Sequence, residues 1–143
     1  FSTACQANSL VNILNYKLEK KGYKTYKVGI GIDYGRALMI KAGHKGSTIN
    51  DVVWMGDVVN QSCHLAAKGN DLYSQGNPIM LSSTLYKNLN EYNQGLCTYN
   101  NSSLCYQSNA INTKMNDWLK EQRKKDNRNN GFYGLLGDNI LFE

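Results

Sequence analysis

The chain has no apolar run approaching the roughly 20 residues that a membrane-spanning helix needs, so no membrane span is expected. Its four cysteines, Cys5, Cys63, Cys97 and Cys105, form no CxxC pair, and the two histidines stand at no ligand spacing from them. That removes the common zinc sites. Cys97 and Cys105 could pair across a loop, while Cys5 and Cys63 read as small core residues in helical settings. Nothing else points to secretion, and a reducing cytoplasm is the expected compartment. A charged-then-apolar leader is missing, as is any internal repeat. The chain opens at Phe1 inside a helix-like run, so a fragment of a longer protein is expected.

At 143 residues and 41% hydrophobic content, one core and one domain are the default. The net charge of +5 is concentrated at Lys17, Lys20, Lys21, Lys24 and Lys27, and again at Lys120, Arg123, Lys124, Lys125 and Arg128. Such clusters suit solvated helix faces and ends. A nucleic-acid platform also needs aromatic rings among the charges; the aromatics are read as standing apart, so nucleic acid is not expected as a partner.

Periodicity predicts a helix over 2–22, with Ala4, Ala7, Leu10, Val11, Leu14 and Leu18 at three- and four-residue steps and Gly22 as its stop. Residues 26–33 switch to a period of two. Val28, Ile30 and Ile32 share one strand face and Gly29 and Gly31 the other, a pattern that marks close approach by a backbone or ligand. Asp33-Tyr34-Gly35 is a turn signal, and residues 37–42 read as the returning strand of a hairpin. A glycine-rich loop containing His44 follows over 43–50, then a short strand over 51–55. A helix is predicted over 57–68, opened by Gly56 and ended by Gly69-Asn70. Residues 78–81 read as a strand, and Ser82 or Ser83 caps a helix reaching about Asn90. An exposed hairpin or loop is expected over 93–108, a helix over 111–125 with Met115, Trp118 and Leu119 inward, and a polar-then-apolar tail over 126–143. Mixed elements with an antiparallel hairpin predict an α+β or α/β sandwich.

On the helix over 57–68, Asn60 and His64 stand four apart and share one face, with Val59, Cys63 and Ala66 free to pack on a sheet. A carboxamide and an imidazole projecting together can grip a ribose and a phosphate chain. By itself such a pair is ordinary on a solvent-facing helix.

Three blocks in order give it more weight: Gly29-Ile30-Gly31-Ile32-Asp33-Tyr34-Gly35, then Trp54-Met55-Gly56-Asp57-Val58-Val59-Asn60 continuing to His64-Leu65, then Ile79-Met80-Leu81-Ser82-Ser83-Thr84-Leu85. In pattern and spacing they resemble the catalytic domain of class III nucleotidyl cyclases, across about residues 1–90. The segments GDVVN, YQSNAIN and MNDWL look like the branch of bacterial pyrimidine cyclases of antiphage (Pycsar) defence, which make cyclic CMP or cyclic UMP.

The resemblance implies a ferredoxin-like, cyclase-type sandwich with a mostly antiparallel sheet and helices packed on it. It implies a single, N-terminally incomplete domain over 1–143, divergent from about residue 91. Asn60 falls on the asparagine that contacts the ribose and orients the nucleotide. His64 falls where the family has a transition-state arginine, and histidine, as a residue type, is charged only part of the time near neutral pH. Val53 falls near the aspartate by which adenylyl cyclases select adenine, which moves the expected substrate from ATP to CTP or UTP. Trp54 joins Val53 and Asn60 in the nucleotide-binding set, and also suits a core or interface. The family's VKGKG segment has no counterpart. Two Mg²⁺ or Mn²⁺ ions are implied as cofactors, with ligands upstream of Phe1, and none of Asp33, Asp51, Asp57 and Asp138 matches a family metal position. Further implications are a nucleoside triphosphate substrate and a head-to-tail homodimer. A catalytically inactive cyclase-like domain and a purine cyclase are the alternatives.

Overall fold

Helix α1 spans Ser2–Lys20 and ends in a Schellman turn. The N–H of Tyr23 donates to Leu18 O and that of Gly22 to Glu19 O, both at 3.0 Å. Gly22 sits at φ +73°, where a side chain would be strained, so the stop foreseen at this glycine has a conformational cause. The computed structural model describes residues 1–42, 51–71 and 74–137. After α1 come β1 (Ile30–Ile32), β2 (Leu38–Ala42), β3 (Asp51–Met55), α2 (Asp57–Lys68), β4 (Ile79–Leu81), α3 (Ser83–Lys87), α4 (Glu91–Gly95), β5 (Thr98–Asn100), β6 (Cys105–Ser108) and α5 (Thr113–Gly137). The expected loop over 43–50, His44 included, and the tail from 138 lie outside the described residues.

Four strands form one sheet in the order β1-β4-β6-β5, with β1 and β4 parallel and the other pairs antiparallel. The expected hairpin between β1 and β2 is not formed. Instead β2 pairs antiparallel with β3, Leu38 opposite Met55 and Ile40 opposite Val53, as a separate two-stranded ribbon. The turn at Asp33 is used differently: its carboxylate accepts from the Tyr34 N–H at 2.8 Å and from the Ser82 hydroxyl. That ties the end of β1 to Ser82, which caps α3 by accepting from the Leu85 N–H.

Helices cover both faces of the four-stranded sheet, giving mixed α and β with mostly antiparallel pairing. On one face Ile79 and Leu81, fully buried, pack with Ala4 and Cys5 of α1 and with Cys97. On the other, Met80 packs with Leu65 of α2 and with Cys105. The helix expected to reach about Asn90 ends at Lys87, and Asn90 caps a separate short helix, α4, by accepting from the Asn93 N–H. The hairpin foreseen over 93–108 exists, but its second strand is no exposed loop. Strand β6 lies inside the sheet, and the Tyr106 ring stacks on Tyr86 with centroids 3.6 Å apart.

The leucine stripe of α1 is not its packing face. Leu10 and Leu14 are exposed, while Asn8, Ser9 and Tyr16 are buried. Those polar groups receive the chain returning from β6: Asn8 Nδ2 donates to Asn109 Oδ1 and Ala110 O, and Ser9 Oγ accepts from the Asn112 N–H at 2.8 Å. Further along, the Tyr16 hydroxyl donates to the Asp126 carboxylate, whose other oxygen lies 2.7 Å from Lys20 Nζ. Of the three residues expected inward on α5, Leu119 is buried, Met115 half-buried and Trp118 partly exposed, with its ring edge-on to Tyr16.

Two predictions follow from this packing. A Cβ on Gly31 would sit 1.9 Å from Ser62 O, against backbone that cannot yield. Gly31→Ala is therefore expected to destabilise the fold by about 3 kcal/mol or more, whereas Gly95→Ala, which meets nothing, leaves the thermal midpoint unchanged or raised. Lys20, and then Tyr16, hold the Asp126 carboxyl below its usual range. Its contribution is thus present above about pH 4 and lost as pH falls through the lowered value. Acid titration should loosen α5 from α1 in hydrogen exchange, and Asp126→Asn should remove that step.

Candidate functional site

Helix α2 owes its place to three glycines. A Cβ on Gly29 would lie 2.0 Å from Ala66 O, and one on Gly69 would lie 2.6 Å from both Gly29 Cα and Pro78 O. With Gly31 these bare positions let α2 rest backbone to backbone on β1, so the close approach foreseen for the glycine face is made by a backbone. Leu65, 1% exposed, anchors the same side. At its start Gly56, with φ +136°, swings the chain out of β3, and its carbonyl accepts from the Val59 and Asn60 N–H groups.

Because Leu65 and the Ser62 and Ala66 backbone face the sheet, Asn60 and His64 face outward, and both are exposed. They share a face one turn apart, as their spacing requires. Val59 and Ala66 are half-buried as expected, but Cys63 is not a core residue. It is exposed, lying between the two site positions. The other three cysteines are buried, and all four are free thiols, so Cys97 and Cys105 are unpaired. Burial pushes the Cys97 thiol up to about 11, with neighbouring Cys5 adding to the effect, and burial also raises Cys5 and Cys105.

Val53 and Trp54 sit on β3, immediately before α2. Successive strand residues face opposite ways, so Val53 shares the Ile40 face of the ribbon and Trp54 the Met39 face. They therefore reach different surfaces. Both faces are bare: Leu38, Met39, Ile40, Val52, Val53, Trp54 and Met55 are each between 41% and 61% exposed. Hollows among the described residues lie against α1. One of about 280 Å³ is lined by Asn8, Asn15, Tyr26 and Asn70, and another of about 410 Å³ by Asn12, Asn116 and Arg123. Neither includes Asn60 or His64. Sequence reasoning passed over this asparagine-lined region, although the repeated asparagines at positions 8, 12 and 15 were there to be seen.

Among the described residues, no three His, Cys, Asp or Glu side chains converge as a metal-ligand set. Asp33, the carboxylate nearest the β1 turn, is occupied by Ser82 and Tyr34. The described residues do not offer the carboxylates of a two-ion centre. Among the described residues, no helix is long and apolar enough to cross a membrane.

Cys63 offers a direct probe. A thiol reagent should label it quickly and the three buried thiols only on unfolding. A bulky maleimide there places its adduct beside Asn60 and His64, and Cys63→Ser should take no label until the fold opens; slow labelling of the native protein would show that this face is covered.

No known family profile matches the chain, and no solved structure does. Two curated proteins do. The chain is 37% identical to a uridylate cyclase of Treponema porcinum, over 85% of this chain and 43% of that protein. It is 34% identical to a uridylate cyclase of Gulbenkiania mobilis, over 82% of this chain and 50% of that protein. The chain thus spans about half the length of the relatives it matches, and over that span it is similar to proteins named for pyrimidine nucleotide cyclisation.

Proposed function

We propose that this chain carries the nucleotide-holding side of a pyrimidine nucleotide cyclase that acts on UTP, with CTP as the competing pyrimidine substrate. The observation that carries this reading is the similarity to two uridylate cyclases over more than four-fifths of the chain. The exposed Asn60–His64 face, held rigidly on the sheet, is its structural support. In the proposed reaction the ribose 3′-oxygen attacks the α-phosphorus, the bond to the β-phosphate oxygen breaks, and pyrophosphate leaves with the cyclic monophosphate formed. The Asn60 carboxamide orients the ribose, and His64 stands where the phosphates lie, offering a ring N–H. Val53 or Trp54, on opposite faces of the ribbon, borders the base. Catalytic Mg²⁺ or Mn²⁺ ions are part of the proposal, with ligands outside the described residues.

A site so open in one chain needs a second surface to enclose a substrate. The bare apolar ribbon β2–β3 supports a homodimer in which a partner covers it. A cyclase-type sandwich, a cytoplasmic setting and a role for the product as an antiviral signal complete the proposal; these rest on the motif resemblance. A second reading, a nucleotide-binding domain without turnover, is favoured by one residue, His64 in place of arginine.

The test is incubation of the full-length protein with each of the four nucleoside triphosphates and Mn²⁺, with products separated by chromatography. Cyclic UMP is the expected product. Asn60→Ala, at an exposed position, should keep the fold and lower turnover by a factor on the order of 10². Nucleotide binding without any cyclic product selects the second reading, and wild-type turnover in Asn60→Ala removes that residue from the site.

A further inference from the structure

Ten of the sixteen lysines and arginines fall within 17–27 and 120–128, far apart in sequence. The α1–α5 contact brings the two groups together, with Lys20 on Asp126 and Arg123 3.6 Å from Glu19. The remaining lysines of both groups make no ion pair among the described residues, so the positive charge of these two segments is left largely unneutralised. In sequence the first group runs Lys20-Lys21-Gly22-Tyr23-Lys24-Thr25-Tyr26-Lys27. Here rings do alternate with charges, contrary to the expectation that aromatics stand apart. Tyr23 and Tyr26 are 64% and 63% exposed.

This segment is held without using its side chains. Asn15 clamps the Tyr26 backbone through both amide atoms, Nδ2 to Tyr26 O at 2.8 Å and Oδ1 from the Tyr26 N–H at 2.9 Å, while Asn70 Nδ2 donates to Val28 O at 2.6 Å. Beside it lies the 280 Å³ hollow, which includes Tyr26 and Lys27 and shares Asn12 and Asn15 with the 410 Å³ hollow bordered by Lys120 and Arg123. Asn116, 7% exposed, lines the second hollow, and its Nδ2 has no hydrogen-bond partner. The two hollows adjoin at Asn12 and Asn15, with Lys27, Lys120 and Arg123 at their edges beside Glu19, the exposed Tyr26 ring at the first and Tyr23 exposed on the same segment.

We propose that these hollows bind single-stranded nucleic acid, with lysines of both groups along the phosphates, bases stacked on Tyr23 and Tyr26, and the Asn12 amide at a base edge. Stacking on exposed rings beside a basic groove is how single strands are held without strict sequence choice. A duplex would leave the rings nothing to stack on. An anionic membrane would match the charge but make no use of the hollows. The inference is independent of the nucleotide site on α2, and its test reads binding alone.

The test is fluorescence anisotropy with labelled oligo-U and oligo-dT strands of about 20 nucleotides, from about 50 to about 200 mM salt. Both strands should bind, with log affinity falling against log salt by about 0.7 per phosphate neutralised. Tighter oligo-U than oligo-dT binding would identify RNA as the preferred form. Tyr23→Ala with Tyr26→Ala should weaken binding roughly tenfold or more at an unchanged salt slope. Lys24→Glu with Lys27→Glu should flatten that slope by about 1.4. All four positions are exposed, so circular dichroism should match the parent. Absence of binding at low salt, equal affinity for a duplex or for anionic vesicles, or no effect of losing the two tyrosines would each overturn the proposal.

Discussion

Two backbones in contact, those of α2 and β1, set the geometry of this molecule. At Gly29, Gly31 and Gly69 the space a side chain would need is already filled by carbonyl oxygen or Cα. Packing this close leaves the helix little freedom to rotate, since any turn about its axis would drive Ser62 or Ala66 into the strand. The direction of Asn60 and His64 is therefore fixed by residues that never approach a ligand. Leu65 closes the contact from the helix side, and Met80 and Cys105 supply the apolar floor under it. A face held on such an element is pre-aimed, which suits the role proposed for Asn60 on the ribose.

The β2–β3 ribbon stands apart from the sheet: β1 lies at the edge of the four strands, and β2 pairs with β3 instead. A lone two-stranded ribbon is marginal in water, and this one bares apolar side chains on both faces. It leads through Gly56 straight into α2, so whatever settles the ribbon also settles the entrance to the Asn60–His64 face. Coupling between assembly and site is thus built into the chain order.

Local signals told the truth about local structure. The glycine alternation at 29 and 31, the turn into α2 at Gly56, its end at Gly69 and the stop at Gly22 were all legible, because each is a steric fact about one or two residues. What misled was pairing and facing. A turn signal at Asp33-Tyr34-Gly35 between two apolar runs reads as a hairpin, but the carboxylate serves Ser82 across the sheet, and that partner is invisible from the turn itself. Leucine spacing on α1 misplaced the buried face at Leu10 and Leu14 because, beyond Ala4 and Cys5, that face is made of Asn8, Ser9 and Tyr16, whose value lies in hydrogen bonds to residues 109–126. Cys63 looked like core for the same reason: its burial depended on a helix rotation that the glycines of β1, rather than its own neighbours, decide. Of the site, the shared face of Asn60 and His64 followed from spacing, whereas the opposite facing of Val53 and Trp54 became visible only once β3 had a partner.

The α1–α5 contact shows what a polar interface costs and what it leaves behind. Apolar helices pack by burying leucines and end with their charges on the far side. Here Asn8, Ser9 and Tyr16 are buried with specific hydrogen-bond partners alongside Leu119, so two basic segments can lie close together with Asp126 and Glu19 between them. Such an arrangement concentrates like charge, which opposes compactness unless something neutralises it. Asp126 and Glu19 offset part of that repulsion through Lys20 and Arg123, but Lys21, Lys24, Lys27, Lys120, Lys124 and Lys125 are left without acidic partners among the described residues. A chain selected for stability alone would gain by placing carboxylates there. Keeping those segments basic, with Tyr23 and Tyr26 exposed in the first of them, makes physical sense when an anion is the missing partner.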